Sequence, residues 1–233
     1  MYKKSESWKM FNQISGTYDL LNNILSVGIH KNWKSKINSF FPIHTNLKVL
    51  DIATGTGDVI FSIMDKKNGD IQEIKGMDLS IDMMDIGKKK CEKKAYKNKV
   101  SFLEGDACKI PFDDQFFDVI TISFGIRNVS NYKQALSEMK RAIKDNGKVI
   151  ILESSIPSNG FVKLFYLLYF RYILPIIGGL ISGKLKAYKY LNKTTEEFPS
   201  GNHFKEILEQ IGFKNVLVKP LAFGISSIYV AEK

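Results

Sequence analysis

Asp51, Gly55, Gly57, Asp78 and Asp106 are the residues of this sequence whose types and spacing best suit ligand chemistry. Asp51 stands near the end of the apolar run Leu47 to Ile52, and Ala53-Thr54-Gly55-Thr56-Gly57 breaks that run before a helical pattern begins at Asp58. Glycines in such a turn reach backbone angles closed to other residues and let the main chain approach a ligand closely. Asp78 ends the next apolar segment, Ile74 to Met77, where a carboxylate can accept charge-assisted hydrogen bonds from both hydroxyls of a ribose. Asp106, in Gly105-Asp106-Ala107, follows a third segment and could accept from an adenine amino group; the plainer account is an Asx turn. A nicotinamide-dinucleotide fingerprint would need a third glycine at position 60, and Ile60 stands there. A simple strand-to-helix turn with Asp58 as cap is the competing account of the loop.

The elements that must carry these residues alternate in type. Strands are expected at Lys48 to Ala53, Glu73 to Met77, Val100 to Glu104, Val119 to Ser123 and Lys148 to Glu153. Helices are expected at Asp58 to Met64, Ile81 to Lys97 and Tyr132 to Lys144. Crossover helices between successive strands imply an α/β fold with a mostly parallel, doubly wound sheet. Val216 to Lys219 and Ser226 to Ala231 read as a final hairpin, which adds an antiparallel edge. The expected division is one domain: a helical N-terminal segment over 1–46, a ligand-binding core over 47–154, a helical lid over 155–200, and a helix with hairpin over 201–233.

In the N-terminal segment, Trp8, Phe11, Ile14, Tyr18, Leu21 and Leu25 recur at the three- and four-residue spacing of a packed helix. That stripe leaves Tyr18-Asp19, Asn22-Asn23 and His30 unexplained, and these polar residues could line a pocket above the sheet. Phe161 to Ser182 is strongly apolar but interrupted by Lys163, Arg171, Pro175 and Gly178-Gly179, so no uniform run of about twenty uncharged residues is expected to span a bilayer. Two readings remain: a buried helix pair covering the site, or an apolar lid that touches a membrane and admits a lipid-like ligand.

With 233 residues, 44% of them apolar, the chain can bury a sizeable core. Two cysteines and three scattered histidines argue against a disulfide framework and a metal centre. No secretory leader is recognised, so a reducing cytoplasm is expected. The net charge of +10 invites nucleic acid or an anionic membrane. Its densest part, Lys88-Lys89-Lys90 through Lys99, reads as the solvated face of a helix. Arg127, Arg141 and Arg171 are the only arginines in a chain that otherwise uses lysine, which points to positions needing the planar fork.

The acid, the two-glycine turn and a second acid about twenty residues on resemble the S-adenosylmethionine loop of class I methyltransferases. Two further segments are more specific. Tyr18-Asp19-Leu20-Leu21-Asn22-Asn23 with Leu25-Ser26-Val27-Gly28-Ile29-His30-Lys31-Asn32-Trp33, and Ile122-Ser123-Phe124-Gly125-Ile126-Arg127-Asn128-Val129 with Ala135 to Arg141, resemble the signatures of the ubiquinone/menaquinone biosynthesis C-methyltransferases. The likeness runs from about Phe11 to the C-terminus and is clearest through Glu153. Asp145-Asn146-Gly147 departs from the family's Pro-Gly-Gly turn, and the chain after Tyr190 is weakly matched.

The resemblance implies a Rossmann-like class I fold with a seven-stranded sheet, S-adenosylmethionine as cofactor, and cofactor contacts at Thr56, Asp78, Asp106, Ala107 and Ser123, beside Asp51, Gly55 and Gly57 of the loop. It implies methyl transfer to a ring carbon of a polyprenylated quinol, with no metal. Deprotonating a quinol hydroxyl drives electron density onto the neighbouring carbon, so positioning and one base or polarising group suffice. Arg127 and Asn128 could hold the quinol oxygen, with Tyr18 or His30 closing the pocket; for Arg127 the plainer role is a salt bridge. The rivals are a methyltransferase acting on oxygen or nitrogen of a small metabolite, and a basic nucleic-acid-binding module. The expected partners are the quinol and no nucleic acid; peripheral contact with the inner face of a membrane and a homodimer stay open.

Overall fold

The computed structural model describes residues 3–233. Two helices open it, α1 (Ser7–Leu25) and α2 (Ile29–Lys36). The alternating part follows: β1 (Leu47–Ile52), α3 (Asp58–Lys67), β2 (Ile71–Asp78), α4 (Ile81–Cys91), β3 (Val100–Glu104), β4 (Phe117–Ser123), α5 (Tyr132–Ala142) and β5 (Ile143–Ser154). Three helical segments, α6 (Gly160–Leu168), α7 (Leu174–Ser182) and α8 (Leu185–Glu197), precede α9 (Asn202–Ile211), β6 (Lys214–Leu221) and β7 (Ser226–Glu232).

The seven strands form one sheet in the order β3-β2-β1-β4-β5-β7-β6, parallel except at β7, which runs antiparallel to both neighbours. Side chains alternate across each strand, and both faces are covered, so the central strands read as continuous apolar runs. Leu50, Ile52, Ile120 and Ile151 face α5 and α9, packing on Leu136, Met139, Phe204 and Leu208. Val49, Ile74, Val119 and Ile150 face the other way, onto Ile60, Ile63 and Met64 of α3. Burial of each such side chain contributes roughly 1.5–3 kcal/mol. The winding direction reverses between β1 and β4, and a crevice opens at the carboxyl ends of strands where that happens.

Three expectations need correction. The helix expected over Ile81 to Lys97 ends at Cys91, the last residue to bury its side chain there; beyond it Lys94 and Tyr96 turn back to Asp65 on α3. Of the stripe expected along α1, Ile14 and Leu21 are buried and Phe11, Tyr18 and Leu25 pack partly buried beside them, whereas Trp8 stands outside that cluster and lines a cavity. That helix buries Met10, Ile14 and Leu21 against Ala187, Tyr188 and Tyr190 of α8, and turns Phe11 and Tyr18 towards open cavities. Nor is Phe161 to Ser182 a buried pair of helices. Gly160–Ser182 is one continuous helix of 23 residues, long and apolar enough to cross a membrane by length and composition, and only 17% of its most apolar 18-residue stretch is buried. A π-turn, Tyr169–Ile173, immediately precedes Pro175, the position at which a regular α-helix would kink or break for want of an N–H.

Candidate active site

Ala53 to Gly57 leave β1 in a turn with Gly55 at φ +55° and Gly57 at φ +80°, and α3 starts immediately afterwards. A Cβ on Gly57 would press against the Phe61 and Phe102 rings, so glycine serves both conformation and space here. Helix α3 still approaches the sheet closely although Ile60 holds the place of a third glycine. The space is supplied by the neighbouring strand: a Cβ on Gly76 of β2 would lie 2.7 Å from Ile60.

The crevice has two compartments. One lies over the ends of β1, β2 and β3 and is walled by Ala53, Gly55, Asp78, Leu79, Asp106 and Ala107, with Trp8 and Phe11 of α1 above. Asp78 faces it; Oδ2 accepts the Gly55 N–H and Oδ1 the Ser80 N–H, both at 2.8 Å. Burial pushes this carboxyl upward against the pull of those donors. Asp106 accepts the Cys108 N–H at 2.8 Å, so it does form the Asx turn while also lining the compartment.

The second compartment is larger, about 1250 Å³ with its mouth, and is mostly aromatic and aliphatic: Trp33, Phe124, Tyr166, Phe170 and Leu174 among others. Phe11, Tyr18, Ala53, Gly55, Ser123 and Phe124 belong to both compartments and form the partition between them. Two partition residues, Ala53 (φ +51°) and Phe124 (φ +56°), hold left-handed backbone angles that side chains resist, which places stored strain where the compartments meet. Gly125 makes that arrangement fit, since its Cβ would lie 2.5 Å from that of Ala53.

An ionic network roofs the loop. Lys34 of α2 reaches Asp58 at 3.0 Å, Lys90 of α4 reaches Asp58 at 3.1 Å and Asp19 of α1 at 2.6 Å, and Thr56 donates to Asp19 at 2.7 Å. Burial alone would raise Asp58, but the two ammonium groups hold its carboxyl at about 2. This network accounts for Asp19, which helical spacing left unexplained. It also takes Lys90 out of the solvated face expected for the lysine run, and Lys99 similarly donates to the Asn68 and Ile71 carbonyls.

The family model that matches residues 1–233 is that of the ubiE/COQ5 methyltransferase family. The chain belongs to this family. It is 40% identical to the ubiquinone/menaquinone biosynthesis C-methyltransferase UbiE of Geotalea daltonii, with both chains covered completely. Identity to the demethylmenaquinone methyltransferase of Staphylococcus aureus is 37%, over 99% of this chain and 94% of that one. Among solved structures, a SAM-dependent methyltransferase from Thermotoga maritima superposes with a TM-score of 0.68 at 19% identity, covering 97% of this chain and 99% of the other. One from Aquifex aeolicus gives 0.61 at 19% identity over 85% and 88%. The fold is thus the class I, Rossmann-like one, and the enzyme is a methyltransferase that uses S-adenosylmethionine.

The residues of this ubiE/COQ5 family member fit that cofactor. Ser123 Oγ and Asn128 Oδ1 are buried polar atoms without a partner, and both residues wall the first compartment beside Asp78. Buried polar atoms in a folded protein find partners, so such orphans mark where a ligand's polar groups belong. Not every expected residue lies on the wall. Asp51 sits beneath the turn, accepting from Thr54 at 2.7 Å and Thr121 at 2.6 Å, and burial pushes it up to about 6. Thr56 lines the second compartment rather than the first.

Tyr18, His30 and Arg127 all line the second compartment, and Asn128 lines the first. Ser26 Oγ lies 2.5 Å from the Asn22 carbonyl and 2.6 Å from His30 Nδ1. Its single proton must go to the carbonyl, which has none of its own, so His30 carries its proton on Nδ1 and leaves Nε2 bare. Burial, then the nearby Lys34 charge, lowers His30 to about 4, so the ring is neutral at physiological pH. Arg127 Nη1 donates to Glu153 and to the Phe124 carbonyl, while its Nε is buried without a partner. The salt bridge and an unspent donor therefore coexist. Sequence reasoning missed Asn192 and Ser226, buried residues of the same compartment with unpartnered oxygens; in the polar run Asn192-Lys193-Thr194-Thr195 nothing marked the asparagine out.

Proposed function

We propose that this enzyme methylates a ring carbon of a polyprenylated quinol, the naphthoquinol or benzoquinol type named by its relatives. The observation that carries this reading is the aromatic compartment sharing a wall with the cofactor compartment. A planar ring and the first units of a prenyl chain suit its lining, and the acceptor carbon would lie at the Tyr18, Ser123 and Phe124 partition. When bound, S-adenosylmethionine supplies an electrophilic methyl group on a sulfonium.

The chain's own residues then have distinct tasks. Asp78 binds ribose hydroxyls, with Gly55 giving backbone access and Asp106, Ala107 and Ser123 completing the cofactor wall. Arg127 directs its unspent Nε donor to the ring oxygen as negative charge develops there, worth about 2.7–4 kcal/mol for one preorganised donor. Glu153 holds the guanidinium in place. Neutral His30 accepts a hydrogen bond from a ring hydroxyl through Nε2, and Tyr18 and Phe11 exclude water from the partition.

The long substrate tail gives the exposed apolar helix Gly160–Ser182 a role. Phe161, Leu164, Phe165, Tyr172, Ile176 and Leu180 face outward, while Tyr166, Phe170, Pro175 and Gly178 are docked on the protein. A helix anchored on one face lies on a bilayer rather than crossing it. Tyr169 bonds the Leu25 carbonyl and so joins this helix to the end of α1, where Val27 is 85% exposed. The test is anaerobic turnover of a reduced demethylated quinol, with the product's methyl located by mass spectrometry. A ring-carbon methyl is expected; an ether methyl, or no product, refutes the reading.

A further inference from the structure

The π-turn in the long helix leaves one backbone carbonyl without a helical partner. In α register the Phe170 carbonyl would accept the Leu174 N–H, but that N–H is diverted to Tyr169. In π register its donor would be residue 175, which is proline and has no N–H. The vacancy is filled from α8: Asn192 Nδ2 donates to the Phe170 carbonyl. Because a carbonyl can only accept, this bond fixes which end of the amide faces the helix. Asn192 Oδ1 must face away from it, and this atom is buried, has no partner and belongs to a residue of the substrate compartment that is 7% exposed. An orphaned buried acceptor costs stability unless a ligand or a water donates to it.

Building on the quinol reading above, we propose that Asn192 is a specificity-determining residue whose Oδ1 accepts a hydrogen bond from a ring hydroxyl of the substrate. The compartment thereby selects the reduced, dihydroxy ring over the oxidised quinone. A quinol oxygen carries a proton to donate, whereas a quinone oxygen only accepts and would set lone pair against lone pair at Asn192. Bare Nε2 of His30, in the same compartment, imposes the same preference on a donor. Selection matters because only the reduced ring has the electron density to attack a methyl cation equivalent, and a bound quinone would block the site. Pro175 and the π-turn are the device that aims the amide.

The experiment measures dissociation constants of a short-chain demethylnaphthoquinol and of its quinone, anaerobically, by tryptophan quenching, with S-adenosylhomocysteine present so that no turnover occurs. Trp33 lines the compartment and reports occupancy. The full-length enzyme is expected to prefer quinol by tenfold or more, the size of about one hydrogen bond plus an avoided mismatch. Asn192→Ala should cut that preference about tenfold, mainly by weakening quinol binding. Should Asn192→Ala fail to fold, Pro175→Ala serves: it returns an N–H to position 175, frees the Asn192 amide to turn, and alters no residue of the compartment wall. The preference should fall with it too, while S-adenosylhomocysteine binding stays unchanged. An unchanged quinol-to-quinone ratio in a folded variant overturns the role of Asn192 while leaving the proposed reaction standing. A wild-type enzyme that binds neither ring and methylates no quinol overturns both.

Discussion

Arg127→Lys separates the two roles that meet in this side chain. Lysine keeps one positive head, which can still pair with Glu153, so the buried carboxylate is not left uncompensated; that loss would cost about 3–5 kcal/mol. Two things go. The bond from Nη1 to the Phe124 carbonyl, 2.8 Å in length, is worth about 1 kcal/mol. With it goes the unpartnered Nε donor of a residue that lines the second compartment, since lysine has no fork to serve two directions. For a chain of this size 1 kcal/mol moves the melting temperature by about 2–4 °C, so only a small drop is expected. Methyl transfer should slow by about two orders of magnitude, the value for one preorganised donor at a developing oxyanion. Single-turnover rates, thermal melts and cofactor calorimetry on one preparation give the answer. A stable variant with a normal rate removes Arg127 from the chemistry. A lower melting point with the rate per folded molecule preserved makes it structural, and joint loss of rate and cofactor affinity moves it to the cofactor compartment.

Asp78→Ala should weaken S-adenosylmethionine binding by about 1.5–3 kcal/mol, the range for hydrogen bonds to a charged group, and should also lower the melting point, because the Gly55 and Ser80 N–H groups lose their acceptor; unchanged affinity by calorimetry would take Asp78 out of the site. Gly125→Ala should destabilise by about 1–3 kcal/mol and weaken cofactor binding, as the new methyl meets Ala53 and forces the two strained turns apart; a normal melt shows that the partition has slack. Asp51 titrates near 3.8 when unfolded and at about 6 when folded, so from pH 4 to 6 the unfolded chain releases a proton that the folded one keeps. It therefore lowers stability as pH rises through that window, by up to about 3 kcal/mol, and Asp51→Asn should flatten this slope in melts taken across pH. Sedimentation with anionic liposomes should weaken in high salt without disappearing, because the exposed apolar helix face adds to lysine attraction; complete release by salt would mean that the lysines alone bind.

The cofactor side of this protein is written locally. A strand, a two-glycine turn and an acid at the end of the next strand are near neighbours in sequence, and a parallel sheet must bring its strands' carboxyl ends to one edge, so Asp78 and Asp106 could be placed there from spacing alone. Helical periodicity also located α1, but not its rotation: a stripe says which residues are apolar, and only packing against α8 decided that Met10, Ile14 and Leu21 are core while Phe11 and Tyr18 are wall. Ionic partners far apart in the chain were equally hidden. Lys90 looked like one of many solvated lysines until the fold brought it to Asp19 and Asp58, 71 and 32 residues away. The substrate side depended most on tertiary structure. Pro175 reads as a helix breaker, and it becomes a positioning element only because a π-turn precedes it and α8 supplies Asn192 to the carbonyl it leaves open. Local propensity is a property of a few consecutive residues, whereas the hydrogen-bond account of a buried carbonyl closes only when the whole chain has folded around it.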